Sequence, residues 1–124
     1  METWTHDELS KFEAADEVGI APLRRDGRAV KPVTIWIVRL GDELYIRSAY
    51  GRRAGWFRAT QARHEGRLGA GSIDKGVSFV DADPRLNDAI DDAYRTKYRN
   101  HGATYVNMMV SANARSTTLR VIPK

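Results

Sequence analysis

The fold of this chain is decided around residues 45–58, whose sequence is YIRSAYGRRAGWFR. Alternation predicts a strand in which Tyr45, Arg47 and Ala49 share one face. A small-residue turn follows, and the next residues predict the start of a helix. The first amides of a helix are unpaired and carry partial positive charge, so this point can bind an anion together with arginine side chains. An ordinary solvated loop with surface arginines is the alternative interpretation of this pattern.

Positive charge is concentrated in the same region. Between Arg47 and Arg67 there are six arginines, no lysine and one acid, Glu65, a net charge of +5 against +4 for the whole chain. The rest of the chain is therefore close to neutral. The planar guanidinium favours bidentate binding of phosphate or carboxylate over loose attraction to a polymer. Because arginine outnumbers lysine throughout the chain, composition alone is the competing explanation.

The composition is that of a globular protein. The chain has 124 residues, 42% of them hydrophobic and 29% charged, which predicts one domain over residues 1–124. The absence of cysteine excludes disulfides, thiolate nucleophiles and cysteine-based metal sites. No apolar run has the length of a membrane span, and the amino-terminal METWTHD lacks a signal-peptide pattern. We expect a cytoplasmic location.

Helix signals occur at three places. Thr5 and Glu8 form a capping box, with Trp4 and Leu9 as the hydrophobic staple across it, which predicts a helix from His6 to about residue 16. The remaining two predicted helices run from about residue 53 to 63 and from Asp83-Pro84 through residue 97. In the last of these, Asp88, Asp91 and Asp92 are expected on a solvated face that pairs with Arg95.

Six strand signals complete the pattern. They predict strands over residues 18–25, 32–40, 43–49, 66–73, 76–81 and 117–122, the first three as an antiparallel meander with a tight hairpin at Gly41-Asp42. The glycines of residues 66–73 predict a bent or bulged strand. The polar, aromatic stretch of residues 98–109 is expected as a loop that could line a pocket. The fold class predicted is mainly β with flanking helices (α+β).

The sequence contains no recognisable motif of catalytic or metal-binding residues. His6, His64 and His101 have none of the spacings that favour a metal site, so we expect surface histidines and no metal. Neither a nucleophile elbow nor a P-loop occurs. No catalytic residue can be assigned from the sequence. If the protein is an enzyme, a bound organic cofactor is the simplest carrier of the chemistry.

The order of these elements and two motifs give a resemblance that spans about residues 9–123. One motif is KPVTIW at residues 31–36, and the other is SAYG at residues 48–51 followed by Trp56-Phe57. With them the chain resembles the FMN-binding split β-barrel superfamily, near the branch of the deazaflavin-dependent nitroreductases. It is most similar to an uncharacterised bacterial family known as a domain of unknown function. Ile35 stands where these proteins have proline, and the segment between Tyr50 and Trp56 is shorter and more basic than theirs.

This resemblance implies a split β-barrel of about six mostly antiparallel strands, assembled as a homodimer that binds FMN or a deazaflavin. The cofactor phosphate would lie at the strand ends and the helix start. The residues expected at the cofactor are Lys31, Thr34, Arg47, Ser48, Ala49, Tyr50, Gly51, Arg52, Arg53, Trp56, Phe57 and Tyr105. Trp56 and Phe57 are expected to divide between the pocket and the core, Trp36 is expected in packing, and Met109 is a further pocket candidate.

Two functions remain open at this stage. The first is a flavin- or deazaflavin-dependent oxidoreductase that transfers hydride from the cofactor to a small substrate. The alternative is a non-enzymatic module that binds an anionic small ligand, or nucleic acid, through the same arginine segment. Of these ligands we expect the phosphorylated flavin type rather than nucleic acid, and no membrane partner.

Overall fold

The computed structural model of the chain describes residues 3–124. Residues 1 and 2, which begin the stretch where no signal peptide is expected, lie outside the described part. Within residues 3–124, seven strands form one sheet, and five α-helices flank it. The strands are β1 (Val18–Pro22), β2 (Val33–Ile35), β3 (Val38–Leu40), β4 (Glu43–Ile46), β5 (Glu65–Ala70), β6 (Ile73–Asp81) and β7 (Leu119–Pro123). The helices are α1 (His6–Ala14), α2 (Gly55–Ala62), α3 (Asn87–Lys97), α4 (Ala103–Met109) and α5 (Ala112–Arg115).

All neighbouring strands of the sheet are antiparallel, in the order β2-β1-β5-β6-β7-β4-β3. The two edge strands, β2 and β3, are parts of one extended segment, residues 33–40. Because this segment pairs with β1 at one edge and with β4 at the other, the sheet curls into a half-barrel. The predicted fold class, mainly β with flanking helices in a split barrel, is confirmed.

The strand count is seven rather than six because the strand predicted over residues 32–40 is broken at Trp36-Ile37. At the break, side chains from the end of α3 take the place of a neighbouring strand. The Ile37 N–H donates to the Tyr98 hydroxyl at 3.1 Å, and the Ile37 carbonyl accepts from Lys97 Nζ at 2.7 Å. The hairpin at Gly41-Asp42 is confirmed.

Two predicted strands are shorter in the structure. β1 ends at Pro22 rather than residue 25, because the Arg24 N–H donates to the Arg28 carbonyl across a turn with Gly27 at φ 88°. β4 ends at Ile46 rather than residue 49, since the Ser48 N–H donates to the Thr117 hydroxyl and not to a strand.

The predicted bulge over residues 66–73 is wrong. β5 and β6 pair in continuous register from Glu65–Ser78 to Ala70–Ile73. Gly66 is required instead because β5 and β1 approach closely at this position. A Cβ on residue 66 would lie 2.7 Å from the Ala21 carbonyl oxygen. β6 therefore begins at Ile73, three residues before the predicted start.

The helix predictions are confirmed at the amino terminus and incomplete near the carboxyl terminus. The Thr5–Glu8 capping box is formed in both directions, at 2.9 and 3.1 Å. The α3 region begins as predicted at Asp83-Pro84, with a first turn of 3-10 type. The stretch 98–109, expected as a loop, holds α4, and α5 follows it. The last strand begins at Leu119 rather than residue 117.

The core has two clusters, one on each face of the sheet. The first fills the half-barrel and includes Ile20, Ile46, Phe57, Leu68 and Val121. The second lies between the sheet and helices α3 and α4 and includes Tyr45, Ile90, Tyr94, Tyr98 and Met109. Tyr45 and Ile46 face opposite clusters, as the alternation predicts.

No helix within residues 3–124 is long and apolar enough to cross a bilayer.

Candidate functional site

A cleft of about 120 Å³ lies where β2, the turn after β4, the start of α2 and α4 meet. Its walls are mostly apolar and aromatic. The lining residues are Val33, Thr34, Ile35, Trp36, Arg47, Ala49, Tyr50, Ala54, Trp56, Tyr105 and Met109. This mixture of flat rings and a few hydroxyl groups is typical of small-molecule sites.

The cleft brings together half of the residues expected at the cofactor. Those that line it are Thr34, Arg47, Ala49, Tyr50, Trp56 and Tyr105, and Met109 lies there too. Those that do not line it are Lys31, Ser48, Gly51, Arg52, Arg53 and Phe57. Residues from three distant parts of the sequence, 34, 47–56 and 105–109, therefore meet at one place.

Arg47 is buried, and its guanidinium is bonded entirely within the protein. Nε donates to Thr118 Oγ1 at 2.9 Å, and Nη1 donates to the Asp91 carboxylate and to the Met109 carbonyl at 3.0 Å. Nη2 donates to two oxygens of Asn87, both at 3.2 Å. All five N–H groups of the guanidinium are used. The expectation that Arg47 holds a phosphate is therefore wrong: it is an internal ion pair at the wall of the cleft.

Asp91 corrects a second expectation, because it does not lie on a solvated face. Its side chain is 9% exposed and pairs with Arg47, and its second oxygen lies 3.4 Å from Nε of Arg115. Asp88 and Asp92 do lie at the surface, paired with Arg115 and Arg95. Asp91 stands beside Ile90 and one turn before Tyr94, both fully buried, which was the sequence signal for its burial.

Three other expected site residues serve the framework of the turn. Ser48 is buried, and Phe57 belongs to the half-barrel core, whereas its neighbour Trp56 lines the cleft. Gly51 has φ 74°, and a Cβ there would lie 2.2 Å from Oδ1 of Asn113. The space around Gly51 is thus filled by a side chain from α5, and we withdraw Ser48, Gly51 and Phe57 as phosphate or ring contacts.

Arg52 and Arg53 are exposed on the 3-10 turn (Gly51–Arg53) that precedes α2. Arg52 donates to the Ser116 carbonyl at 2.8 Å and lies over the Phe57 ring. The N-cap of α2 is Ala54, whose side chain cannot accept a hydrogen bond. No N-cap side chain therefore bonds to the first amides of α2. Ala54 and Trp56 line the cleft, which places this uncapped first turn at its edge. Lys31 is exposed just before β2.

One aromatic wall of the cleft is held rigidly from behind. The Trp36 indole stacks on the Tyr98 ring with centroids 3.8 Å apart and an interplanar angle of 2°. Tyr98 is fully buried, and its hydroxyl donates to the Asp16 carbonyl at 2.8 Å. Burial raises the pKa of Tyr98 strongly, so its hydroxyl stays protonated. Trp36, expected only in packing, therefore both packs and lines the cleft.

A second hollow of about 360 Å³ adjoins the cleft. The two share Thr34, Ile35, Trp36 and Tyr105, and the second adds Glu17 and His101. Partial burial, with smaller effects of Tyr50 and Glu17, raises the pKa of Tyr105. Tyr105, which lines both hollows, therefore carries a neutral hydroxyl that can donate a hydrogen bond at physiological pH.

Exposed apolar surface is concentrated around the cleft. Four large hydrophobic side chains are exposed within residues 3–124, and three of them, Val33, Tyr50 and Tyr105, line it. The fourth, Val80, is on β6. Clustered exposed apolar groups are typical of ligand or protein contact surfaces.

A larger hollow of about 660 Å³ lies elsewhere, at the start of α1. It is lined by Trp4, His6, Glu43 and Arg120 among others, and by none of the residues expected at the cofactor. Its one charged pair, Glu43 with Arg120, is at the 4.0 Å limit of an ion pair. Size alone does not identify a site, and the convergence of aromatic groups favours the smaller cleft.

Sequence reasoning placed Tyr105 and Met109 at a pocket but did not predict that they lie on a helix, α4. It also missed the support from α3, because Asp91 on this helix and Tyr98 at its end were not expected at the site. In ATYVNMM, residues 103–109, Val106 and Met109 stand three positions apart and are both buried, which is helical spacing that could have identified α4.

The profile of one protein family matches residues 8–121. That family is described as "Uncharacterized protein conserved in bacteria (DUF2255)", and because the match covers most of the chain, this protein belongs to it. The search of curated proteins finds no match.

Solved structures similar to this one share its split-barrel fold at low sequence identity. An F420 reductase is similar with TM-score 0.57 and 14% identity, over 93% of this chain and 90% of that one. HutZ, the heme storage protein from Vibrio cholerae, is similar with TM-score 0.60 and 8% identity, over 100% and 90%. A FAD-binding protein from Mesorhizobium loti is similar with TM-score 0.50 and 16% identity, over 98% and 89%. Fold neighbours thus include proteins named for flavin-type and for heme ligands.

Proposed function

We propose that this chain binds a flavin or deazaflavin in the aromatic cleft and transfers hydride from it to a small substrate. The observation that carries the proposal is the grouping of Val33, Tyr50 and Tyr105, exposed apolar side chains, with the indoles of Trp36 and Trp56 around one cleft. The names of the F420 reductase and the FAD-binding protein among the fold neighbours support it.

The walls of the cleft suit a flat ring. A planar ligand binds most tightly where flat apolar side chains cover its faces and a few hydrogen-bonding groups meet its edge. Trp36 offers a rigid face because Tyr98 supports it from behind, and Trp56 and Met109 add apolar surface. The hydroxyl groups of Thr34 and Tyr105 can bond to the polar edge of such a ring.

The edge of the cleft suits a phosphate group. The amides of the first turn of α2 have no side-chain cap, and the helix dipole adds partial positive charge there. Arg53 is exposed immediately before this turn, and Arg52 has donors beyond the one that bonds to Ser116. We assign the phosphate to these groups rather than to Arg47.

The bound cofactor would supply the hydride, and the chain would supply binding and orientation. Trp36 and Trp56 fix the plane of the ring and exclude water from its face. Tyr105, protonated at physiological pH, holds a donor proton at its Oη atom between the cofactor cleft and the adjoining hollow.

The heme-type ligand suggested by one fold neighbour suits this cleft less well. Within residues 3–124, no histidine lines the cleft, and His101 lines only the second hollow. His101 also packs edge-on against Trp36, with centroids 5.6 Å apart. A heme would give an intense Soret absorption band and is thus separable from a flavin by its spectrum.

The direct test is titration of the purified protein with FMN, FAD and a deazaflavin, followed by the fluorescence of the ligand. We expect stoichiometric binding of at least one of them, and its loss in Trp56→Ala. Val80→Ala is the matched control, since Val80 is exposed but does not line the cleft. Absence of binding to all three compounds would contradict the proposal.

A turnover assay distinguishes an oxidoreductase from a non-enzymatic binding module. If the reduced, bound cofactor is not reoxidised by quinone or nitroaromatic acceptors, the protein is a binding module. Binding to duplex DNA with steep salt dependence, in the absence of flavin binding, would instead favour a nucleic-acid partner.

We propose further that the protein is a homodimer and that Val33 and Tyr50, which are exposed beside the cleft, lie at or near the interface. Large exposed apolar groups are costly on a monomer and are typical of contact surfaces. Twofold pairing of identical patches is the commonest way for a single chain to cover them.

A further inference from the structure

The cleft is small for the ligand that we propose. Its volume is about 120 Å³, whereas sites for ligands of cofactor or drug size measure roughly 300–1,000 Å³. The adjoining hollow, of about 360 Å³, lies within that range. The cleft alone therefore lacks room for a fused ring system with its substituents, whereas the cleft joined to this hollow has it.

Tyr105 forms part of the wall between the two hollows. It is the one side chain from α4 that lines both, and its ring lies 4.6 Å from the Trp36 indole at a tilt of 59°. Thr34, Ile35 and Trp36, which are also shared, belong to the strand segment and its break. Of the residues that line both hollows, Tyr105 is thus the one whose side chain can move without disturbing the sheet.

The attachment of Tyr105 permits that movement. α4 is anchored by Val106 and Met109, which are buried, while Tyr105 is 38% exposed. The helix follows Gly102, which has φ 96°, and begins without a side-chain cap. A side chain with free solvent on one side can change rotamer at little cost.

We propose that Tyr105 is a movable partition that sets the size of the ring the cleft accepts. In the closed position it separates a small subsite on Trp36 from the hollow of Glu17 and His101. When it swings out, the two join, and a tricyclic ring lies across Trp36. This inference rests on the proposed function for the identity of the ring, but not for the partition itself.

The partition can be tested without a cofactor. In a Trp56→Phe background, Trp36 and the buried Trp4 remain, so acrylamide quenching reports on access to Trp36. Tyr105→Ala should increase the quenching constant, whereas Tyr105→Phe, which keeps the ring, should not. Val80→Ala is the matched control, because Val80 is exposed but lines neither hollow. Equal quenching in Tyr105→Ala and the parent would overturn the proposal.

Size selection is tested with rings of two sizes. Lumichrome, a tricyclic ring without a phosphate, should associate about tenfold faster with Tyr105→Ala, because the wild-type open state is a minor population. A single-ring probe such as phenol should associate equally with both proteins. Equal lumichrome rates for the two proteins would overturn the partition.

A different outcome would separate the two proposals. If quenching rises in Tyr105→Ala and lumichrome associates faster, but neither protein binds FMN, FAD or a deazaflavin, the proposed function fails and the partition stands. Circular dichroism of each variant ensures that only folded proteins are compared, and Tyr105→Ser, which also removes the ring, replaces Tyr105→Ala if that variant does not fold.

Discussion

At the scale of the residue, Arg47 carries a charge that the sequence predicts at the surface and that the structure shows to be buried. Arg47 stands in a run of arginines that looks solvated, yet its guanidinium is enclosed by α3, the end of α4 and the residues before β7. It also lies over the Tyr94 ring, 5.5 Å from the centroid. Burying this charge is tolerable only because every donor has a partner.

Loss of Arg47 should therefore destabilise the protein strongly. In Arg47→Met the Asp91 carboxylate loses its main partner while it remains buried, which should cost about 3–5 kcal/mol of unfolding free energy. Urea denaturation measures this cost. The control is Arg95→Met, which removes an exposed partner of Asp92 and should change stability by less than about 1 kcal/mol. Similar losses in both variants would contradict the assigned role of Arg47.

Lys97 should give the stability of the protein a measurable pH dependence. Burial lowers the pKa of Lys97 to about 8, while the unfolded chain keeps its ordinary value of 10.5. Between these two pH values the unfolded state binds more protons, so stability should rise as pH increases. Below pH 8 the lysine is protonated in both states and adds no slope.

Substitution isolates this contribution from other groups that titrate in the same range. The free energy of unfolding, measured from pH 7 to 10, should rise less in Lys97→Met than in the wild type. Lys11→Met, at an exposed position on α1, should keep the wild-type slope. A slope in Lys97→Met equal to that of the wild type would show that another group is responsible.

At the scale of the element, the turn after β4 depends on α5 and the two residues after it, which lie much later in the chain. The Ser48 N–H donates to Thr117, Arg52 donates to Ser116, and Asn113 fills the space beside Gly51. The start of α2 is thus fixed by residues 113–117. The local sequence predicts a turn here, but its conformation belongs to the tertiary structure.

Gly51→Ala should disturb this turn for two separate reasons. A Cβ at φ 74° is strained, and it would also lie 2.2 Å from Asn113 Oδ1. Together these effects should cost more than about 2 kcal/mol of unfolding free energy. Adding Asn113→Ala to Gly51→Ala should restore the part of the unfolding free energy that the contact with Asn113 removed. The part lost to backbone strain should remain lost. The control Gly55→Ala, where no atom lies within 4 Å, should be nearly neutral.

The start of α2 should control the affinity for the phosphate. Each charge-assisted hydrogen bond contributes about 1.5–3 kcal/mol, so Arg52→Ala/Arg53→Ala should weaken FMN binding more than about tenfold. Binding of riboflavin, which lacks the phosphate, should change little. The matched control is Arg24→Ala/Arg25→Ala, another adjacent exposed pair, in the loop after β1. Unchanged FMN affinity in the first variant would place the phosphate elsewhere.

At the scale of the whole molecule, closure of the half-barrel leaves the cleft beside exposed apolar surface. Residues 33–40 join the two edges of the sheet, and the break at Trp36-Ile37 puts the indole of Trp36 beside α4 instead of inside the barrel. Exposed Val33 and Tyr50 then border the cleft.

We expect multi-angle light scattering at micromolar concentration to give the mass of a dimer. Tyr50→Asp should shift the equilibrium toward the monomer, because Tyr50 is 68% exposed in one chain and a charge would oppose its burial in an interface. Val80→Asp is the control on another part of the surface. A monomeric wild type would remove the homodimer and leave the cleft unaffected.

Local interactions were determined by the sequence itself. The capping box of α1, the hairpin at Gly41-Asp42 and the opposite facing of Tyr45 and Ile46 depend on residues within a few positions of one another. The order of strand and helix signals was sufficient for the fold class. Residues 45–58 likewise predicted four of the eleven residues that line the cleft, which are Arg47, Ala49, Tyr50 and Trp56.

The tertiary structure alone decided which charges are free and where the strand of residues 32–40 breaks. Both depend on contacts between residues more than 30 positions apart, such as Arg47 with Asp91 and Ile37 with Tyr98. A single sequence shows the hydrophobicity of each position but not the partner that makes burial of a charge or loss of a strand bond tolerable. Arg47 and Arg52 look alike in the sequence, and they differ because a carboxylate from α3 reaches only Arg47.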